Sequence, residues 1–413
     1  MEHNLKHINK LQVPTWTWLA INDTDARLDF TGLKPFDKDP LQNNRENNNG
    51  GIRIEKEIKA KALRPEEKAS QAAVEMSDFV KKRSNHRCHI IIEDGQIIKE
   101  PIMMDFALDK ENSLLIDHIM IDAGENSKAT IILKYSSEDN NDHNGHSQEN
   151  TSDMCNNGNT DKICNTDNAD KTEKTGKRIN VHGGNNSYIH CGYTQMNLKK
   201  GARINLIKVQ LLSEDSVHID ATGVNVEEAA EGNILLAELG SKKTVSACDI
   251  SLAGKGSRAN VDSIYIGNKS KNLDMNYRME YDGTDTEGYI TAKGVLLGSS
   301  KKVLKDTLDF IAGSSGSKGR EEESVIALSD KAVNICAPLL LCAEDRVDGQ
   351  HASNIGKLDD NKLFYLMSRG LGEKEAKRLM VEASFAPIID KIPQEALRDR
   401  ISGYLTEVIE NGE

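Results

Sequence analysis

The stretch NICAPLLLCAEDRVDGQHASNIGKLDDNKLFYLMSRG, residues 334–370, gathers the side chains best able to do chemistry: two thiols, a run of acids and one histidine. Leu339, Leu340, Leu341 and Cys342, after Pro338, read as a buried strand, and the acidic AED and the Asp348, Gly349 pair read as turns. His351 then falls where the next extended piece begins, a place from which an imidazole nitrogen can reach iron or another subunit. Residue type alone favours an ordinary surface or capping histidine, because no spaced ligand partners accompany it. Cys336 and Cys342 would suit iron or persulfide sulfur as thiolates, but in apolar runs they read as small buried hydrophobes, as do Cys191 and Cys248.

Other reactive patterns carry less. GKGSRA, residues 254–259, matches a loose dinucleotide fingerprint, yet it joins strand to strand, and pyrophosphate binding needs a helix N-terminus after the glycines. It is read as a turn. GSSGSKGR, residues 313–320, lacks the phosphate-loop spacing, so the chain is not expected to hydrolyse ATP. His143, His146, Cys155 and Cys164 are metal-capable types in a segment with no apolar support for ligands. Neither a GxSxG elbow nor an HExxH pair occurs, and the residues do not advertise an enzyme.

The elements that must hold these residues change type along the chain. Residues 1–87 are read as a helical N-terminal region, with Ala69, Ala72, Ala73, Met76 and Val80 recurring at helical steps after Pro65. Residues 88–358 carry short apolar or alternating runs broken by turn clusters, as in Ile207, Val209 and Leu211 with Lys208 and Gln210 between them. That pattern is mainly β and fits a sandwich or a parallel β-helix equally. Within it, residues 136–178 are rich in Asn, Asp, Ser and Thr, and are read as a disordered insertion too poor in apolar surface to offset its ordering entropy. After residue 359 the 3.6 period returns: Asp359 or Asp360 caps a helix that stops at Gly370, with Leu363, Phe364 and Met367 on one face. Ala376, Leu379, Met380 and Ala383 mark a second helix, and Leu397, Ile401, Leu405, Val408 and Ile409 a third after Pro393, giving a C-terminal helical domain over residues 359–413.

Composition bounds the partners. The 413 residues carry 53 basic and 65 acidic side chains, a formal charge of −12 that repels phosphate backbones, so no nucleic-acid role is expected. Only 4% are aromatic, which suits a thin aliphatic core. No apolar run approaches the ~18 residues that would span a bilayer, the start lacks a cleavable leader, and seven cysteines form no CxxC pair. The reading is a cytoplasmic protein with no membrane contact.

Read as words, residues 338–370 closely resemble the C-terminal signature of the SUF iron-sulfur assembly proteins, the SufB/SufD family, and look more like its D-type member. VPTWTWLAIN, GVLLGSSKKVLKDTLDFIAG and EEESVIALSDKAVNICAPLLLC extend the likeness over most of the chain. The resemblance implies a right-handed parallel β-helix core flanked by N- and C-terminal helical parts. It also implies a non-catalytic subunit that pairs with a SufB-type scaffold, or with itself, at the β-helix ends near His351. The C-terminal helices, with Phe364, Tyr365 and Arg369, would dock a SufC-type ATPase whose closure distorts the paired β-helices. A transient iron-sulfur cluster would form at the interface with His351 as a metal ligand, and a flavin stays open as a second cofactor. Three positions depart from the family: Gly349 where many D-type members have a cysteine, Ala352 where the B-type has a glutamate, and Glu323 where the B-type has a cysteine. Two other classes are set against this reading. A β-helix enzyme acting on polysaccharide would call for secretion and aromatic platforms, and a nicotinamide oxidoreductase built on GKGSRA would call for βαβ alternation.

Overall fold

The computed structural model describes residues 2–14, 21–30, 33–41, 51–56, 74–138, 177–180 and 187–411. The first part of the chain contributes strands as well as a helix: β1 (Glu2–Ile8), β2 (Thr24–Asp29), β3 (Ile52–Glu55) and α1 (Val74–Arg83). The helix read after Pro65 is therefore present from Val74, while residues 57–73 lie outside the described residues. β1 and β2 pair antiparallel, and β8 (Lys177–Asn180) adds to β2. An all-helical N-terminal region is not what forms. Apart from its two ends, the segment 136–178, with His143, His146, Cys155 and Cys164, lies outside the described residues.

From His86 onward the chain winds as a parallel β-helix of eight coils, each contributing one strand to each of two sheets. The first coils use β4 (His86–Ile92), β5 (Ile102–Leu108), β6 (Leu114–Ala123) and β7 (Lys128–Ser137). The middle ones use β9 (Ile189–Leu198), β10 (Arg203–Leu211), β11 (Val217–Val226), β12 (Glu231–Glu238), β13 (Lys243–Leu252) and β14 (Arg258–Gly267). The last three use β15 (Asn272–Tyr281), β16 (Glu287–Leu296), β17 (Lys301–Phe310), β18 (Lys318–Ala327), β19 (Val333–Cys342) and β20 (Asp348–Gly356). Even-numbered strands from β10 to β20 stack with β7 and β5 in an eight-stranded sheet, and the others with β3 in a nine-stranded one. A one-residue slip would turn every side chain to the wrong face, and side-chain ladders oppose it. Asn260 donates to Asn233 at 2.7 Å and Asn233 to Asn205 at 3.1 Å, one rung per coil.

Tight turns let the coils stack. The GKGSRA segment is the turn from β13 to β14, with Gly256 at φ +66°. A side chain at Gly254 would meet the backbone nitrogen of Glu228 in the coil below at 1.9 Å, so only glycine allows that approach.

Both outer faces of the coil are covered, which makes the strands almost continuously buried. α1 and the β1–β2 pair pack on Ile189, Cys191, Val217, Ile219 and Val245 of the nine-stranded sheet. Two C-terminal helices, α3 (Glu373–Ile389) and α4 (Glu395–Asn411), pack on Ile207, Val209, Leu235, Ile264 and Val295 of the eight-stranded sheet. The helices thus complete the solenoid and share its core. α4 buries all five residues read from its period. α3 is seated differently: Val381, Phe385 and Ile388 join Ala376 in the core, while Leu379 is exposed and Met380 half-buried. α2 (Asp360–Ser368) is capped by the Asp359 side chain, which accepts from the amides of Asn361 and Lys362, and it buries no residue.

Candidate functional site

Among the described residues the last coil has no coil beyond it. β19 and β20 are the edges of their sheets, so the expected burial of the Leu339–Cys342 run is only partial. Leu339 and Leu341 are half-buried, and Leu340 and Cys342 are exposed. The reason is topological: an apolar strand reads as interior whether or not another coil covers it. Cys336 is half-buried, and burial with Asp306 and Glu323 nearby pushes its thiol well above the usual range. A thiol held protonated is a poor metal ligand or nucleophile. Cys191 and Cys248 are buried as expected.

His351 lies on this open edge, in register with Glu321 of the preceding coil. Its Nδ1 contacts Glu321 Oε2, and the side chain is 34% exposed against 2% for the glutamate. Burial lowers the imidazole pKa, so near neutral pH the ring is uncharged with its one proton. With Glu321 ionised, the carboxylate accepts from Nδ1–H and the Nε2 lone pair is left free. A histidine fixed by a carboxylate in this way is oriented for metal binding. Glu321 is the residue that sequence reasoning missed. It stands 30 residues before its partner, one full coil away. Glu321, His351, Cys336 and Cys342 do not converge into a ligand set: among the described residues no three His, Cys, Asp or Glu side chains could hold a metal. Any ion at His351 needs ligands beyond the described residues.

Behind this edge polar groups are set into the otherwise apolar interior of the coil. Glu323, where the B-type family pattern has a cysteine, is wholly buried, pairs with buried Lys302, and accepts from the Tyr265 hydroxyl at 2.6 Å. Asp306 is buried beside them with neither carboxyl oxygen hydrogen-bonded, and burial, then Glu323, push its pKa well up, so it stays protonated. A second interior group lies in the middle coils. Lys208, which alternates with outward Ile207 and Val209, points inward and donates to Asp220 Oδ2 at 2.5 Å and to Thr194 and Thr222. His190 Nε2 meets Asp117 Oδ1 at 2.5 Å, and its Nδ1 meets His218 Nδ1 at 2.7 Å. Burial works to raise the Asp117 carboxyl, but His190 holds it below the usual range, so Nε2 of His190 donates to it, and the two facing Nδ1 atoms of His190 and His218 share one proton. His218 Nε2 faces Glu238, 3.5 Å away, whose carboxyl burial raises to about 7.

Eight coils with polar groups set into an apolar interior, and a histidine held by a carboxylate at the open end, place the chain among parallel β-helix proteins. The family described as "SUF system FeS cluster assembly, SufBD core domain" matches residues 168–384. The chain belongs to this SufB/SufD family. It is similar to the iron-sulfur cluster assembly protein SufD of Bacillus subtilis, 30% identical over 38% of this chain and 36% of that protein. A SufBD family protein of Pyrococcus horikoshii is 28% identical over 50% of this chain and 46% of its own length. SufB of Bacillus subtilis is 23% identical over 50% and 44% respectively. The matched part thus spans about half or less of the relatives it resembles. Among the described residues no helix is long and apolar enough to cross a membrane.

Proposed function

We propose that this chain is a non-catalytic, D-type subunit of a SUF assembly complex, working in the cytoplasm. It pairs through its open β-helix end with a SufB-type scaffold or a second copy, and a nascent iron-sulfur cluster forms at the junction as cargo. His351 contributes Nε2 as one iron ligand, and the partner supplies the rest. The observation that carries this reading is the His351–Glu321 pair on an uncapped edge: a histidine is held there, with no further ligands converging on it among the described residues. The exposed apolar residues Leu340 and Ile355 on the same edge suit a partner surface.

A SufC-type ATPase docks on α2, where Phe364 is 73% and Tyr365 55% exposed, and Arg369 lies over the Tyr365 ring at 5.1 Å. ATP-driven closure of that subunit would reach the coil through α3 and α4, which share its core.

Anaerobic coexpression with candidate SufB and SufC partners, followed by size exclusion with light scattering, tests the assembly. A stable complex containing the ATPase is expected, and a chain that ignores both partners would overturn the assignment. In the complex, His351→Ala is expected to abolish or slow cluster formation without dissociating the subunits. Unchanged cluster yield would remove His351 from the site.

A further inference from the structure

One cavity has the opposite sign to the whole protein, whose formal charge is −12. It has a volume of about 570 Å³ and opens where the turns leading into β15, β17 and β19 meet α3 and α4. Lys269, Lys331, Lys374 and Lys377 line it, with no carboxylate among its described lining residues. Converging ammoniums repel one another, and the structure quenches them only weakly. Lys269 pairs with Glu214 and Lys377 with Glu373 on exposed surface, and Lys374 donates to the Glu410 carbonyl at 2.8 Å. The Lys331 ammonium makes no ion pair among the described residues.

The wall is built to hold its shape. The Ser299 amide donates to the Lys269 carbonyl of the coil below at 2.6 Å, and Gly298 takes φ +58°, where a side chain would meet the Lys269 backbone at 2.8 Å. Ser270, Ser299 and Ser329 each come from one of the three successive turns, so side chains there repeat at the strand spacing of about 4.8 Å. Ammonium and hydroxyl donors together suit tetrahedral oxyanions. Lys331 and Lys374, which have no carboxylate partner among the described residues, add two positive charges to the two already paired with Glu214 and Glu373, and Leu297 and Ile409 add apolar surface beside them. The volume is that of a small-molecule site.

We propose that this cavity binds a small ligand carrying a di- or triphosphate group, with the phosphate oxygens on Lys331, Lys374 and the serine hydroxyls and the organic part against Ile409. The inference shares no residue with the His351 site and does not depend on its role.

Isothermal titration of the full chain with inorganic pyrophosphate and with ADP, at fixed ionic strength, is the test. Saturable binding of one ligand per chain is expected for both. The double variant Lys331→Gln, Lys374→Gln should weaken it about tenfold or more, as loss of charge-assisted hydrogen bonds would. Both lysines are exposed, so the fold should be kept, as an unchanged urea midpoint would show. Lys255→Gln, on the other row of turns, should leave binding as it is. The proposal is overturned if sulfate at equal ionic strength gives the same heats, if the double variant binds as well as the native chain, or if an oligoglutamate peptide binds and pyrophosphate does not. The last result would assign the cavity to an acidic polypeptide.

Discussion

Lys302 and Glu323 are both wholly buried, so each charge depends on the other inside the coil. Removing one partner leaves the other uncompensated, and Lys302→Ala should cost about 3–5 kcal/mol. Replacing both together, by Lys302→Met with Glu323→Leu, should cost much less. Urea unfolding of the three chains measures it, and an additive double variant would refute the pairing. A pH dependence follows from the buried histidines. Burial, then Lys81 and Arg87, push His118 down to about 4, and burial, then His190 and Lys208, push His218 well below its usual value. Unfolded histidine binds a proton near pH 6.5, so below that pH the unfolded chain holds more protons and stability falls with acid. Glu238, raised to about 7, acts in the opposite sense: between its ordinary value of 4.5 and about 7 the folded state holds the extra proton, so its contribution grows as pH drops. The urea midpoint should therefore fall from pH 6.5 to 5, less steeply in His218→Gln and more steeply in Glu238→Gln. At this scale a local motif singles out His351 as the candidate ligand, the role proposed for it above. Glu321 was not legible in the sequence, because its contact is made across one coil and leaves no mark in neighbouring residues.

At the scale of elements, α2 and α3 differ in what they touch. Phe364→Ala on α2 should change stability by no more than about 0.5 kcal/mol, the usual range for a surface site. Phe385→Ala on α3, fully buried against the solenoid, should cost about 3–5 kcal/mol. Chemical denaturation separates the two, and a large loss at Phe364 would mean that α2 is packed. Gly294 in β16 gives a further check, since a side chain there would meet the Tyr265 ring at 2.0 Å. Gly294→Ala should cost about 1–3 kcal/mol by overpacking and loosen the Tyr265–Glu323 bond. Helices α2 and α4 were readable from capping and period because those signals are local. The seat of α3 was misjudged because Leu379 and Met380 satisfy the period as well as Val381 and Phe385 do, and the solenoid decides between them. Lys208 is the same lesson in a strand: alternation is visible, but in the second half of β10 the apolar side is the outward one, since helices cover it.

The whole molecule is a stack in which each coil is held chiefly by its neighbours, so stability is distributed by position. Coils in the middle have two neighbours and the last has one. Hydrogen exchange on the isolated chain should find the amides of β11 to β15 protected longest and those of β19 and β20 opening first. Equal protection along the stack would contradict a chain of nearest-neighbour coils. Many strands and most of the turns were legible in the sequence. The choice of a solenoid over a sandwich was not, because both have a period of two, and the family likeness made it.

An open-ended stack invites runaway growth, since an unpaired strand is a template for the next chain. Pro338 sits in the middle of β19, the free edge of the nine-stranded sheet. The amides of Val333 and Ala343 donate inward to Ser300 and Phe310. Alternate amides on a strand face opposite ways, so Pro338 turns its nitrogen outward. With no hydrogen to offer, it leaves a gap midway along the exposed row of donors. A further strand could grip either half of that edge but not run unbroken along it, which blunts the edge as a template for a fibre.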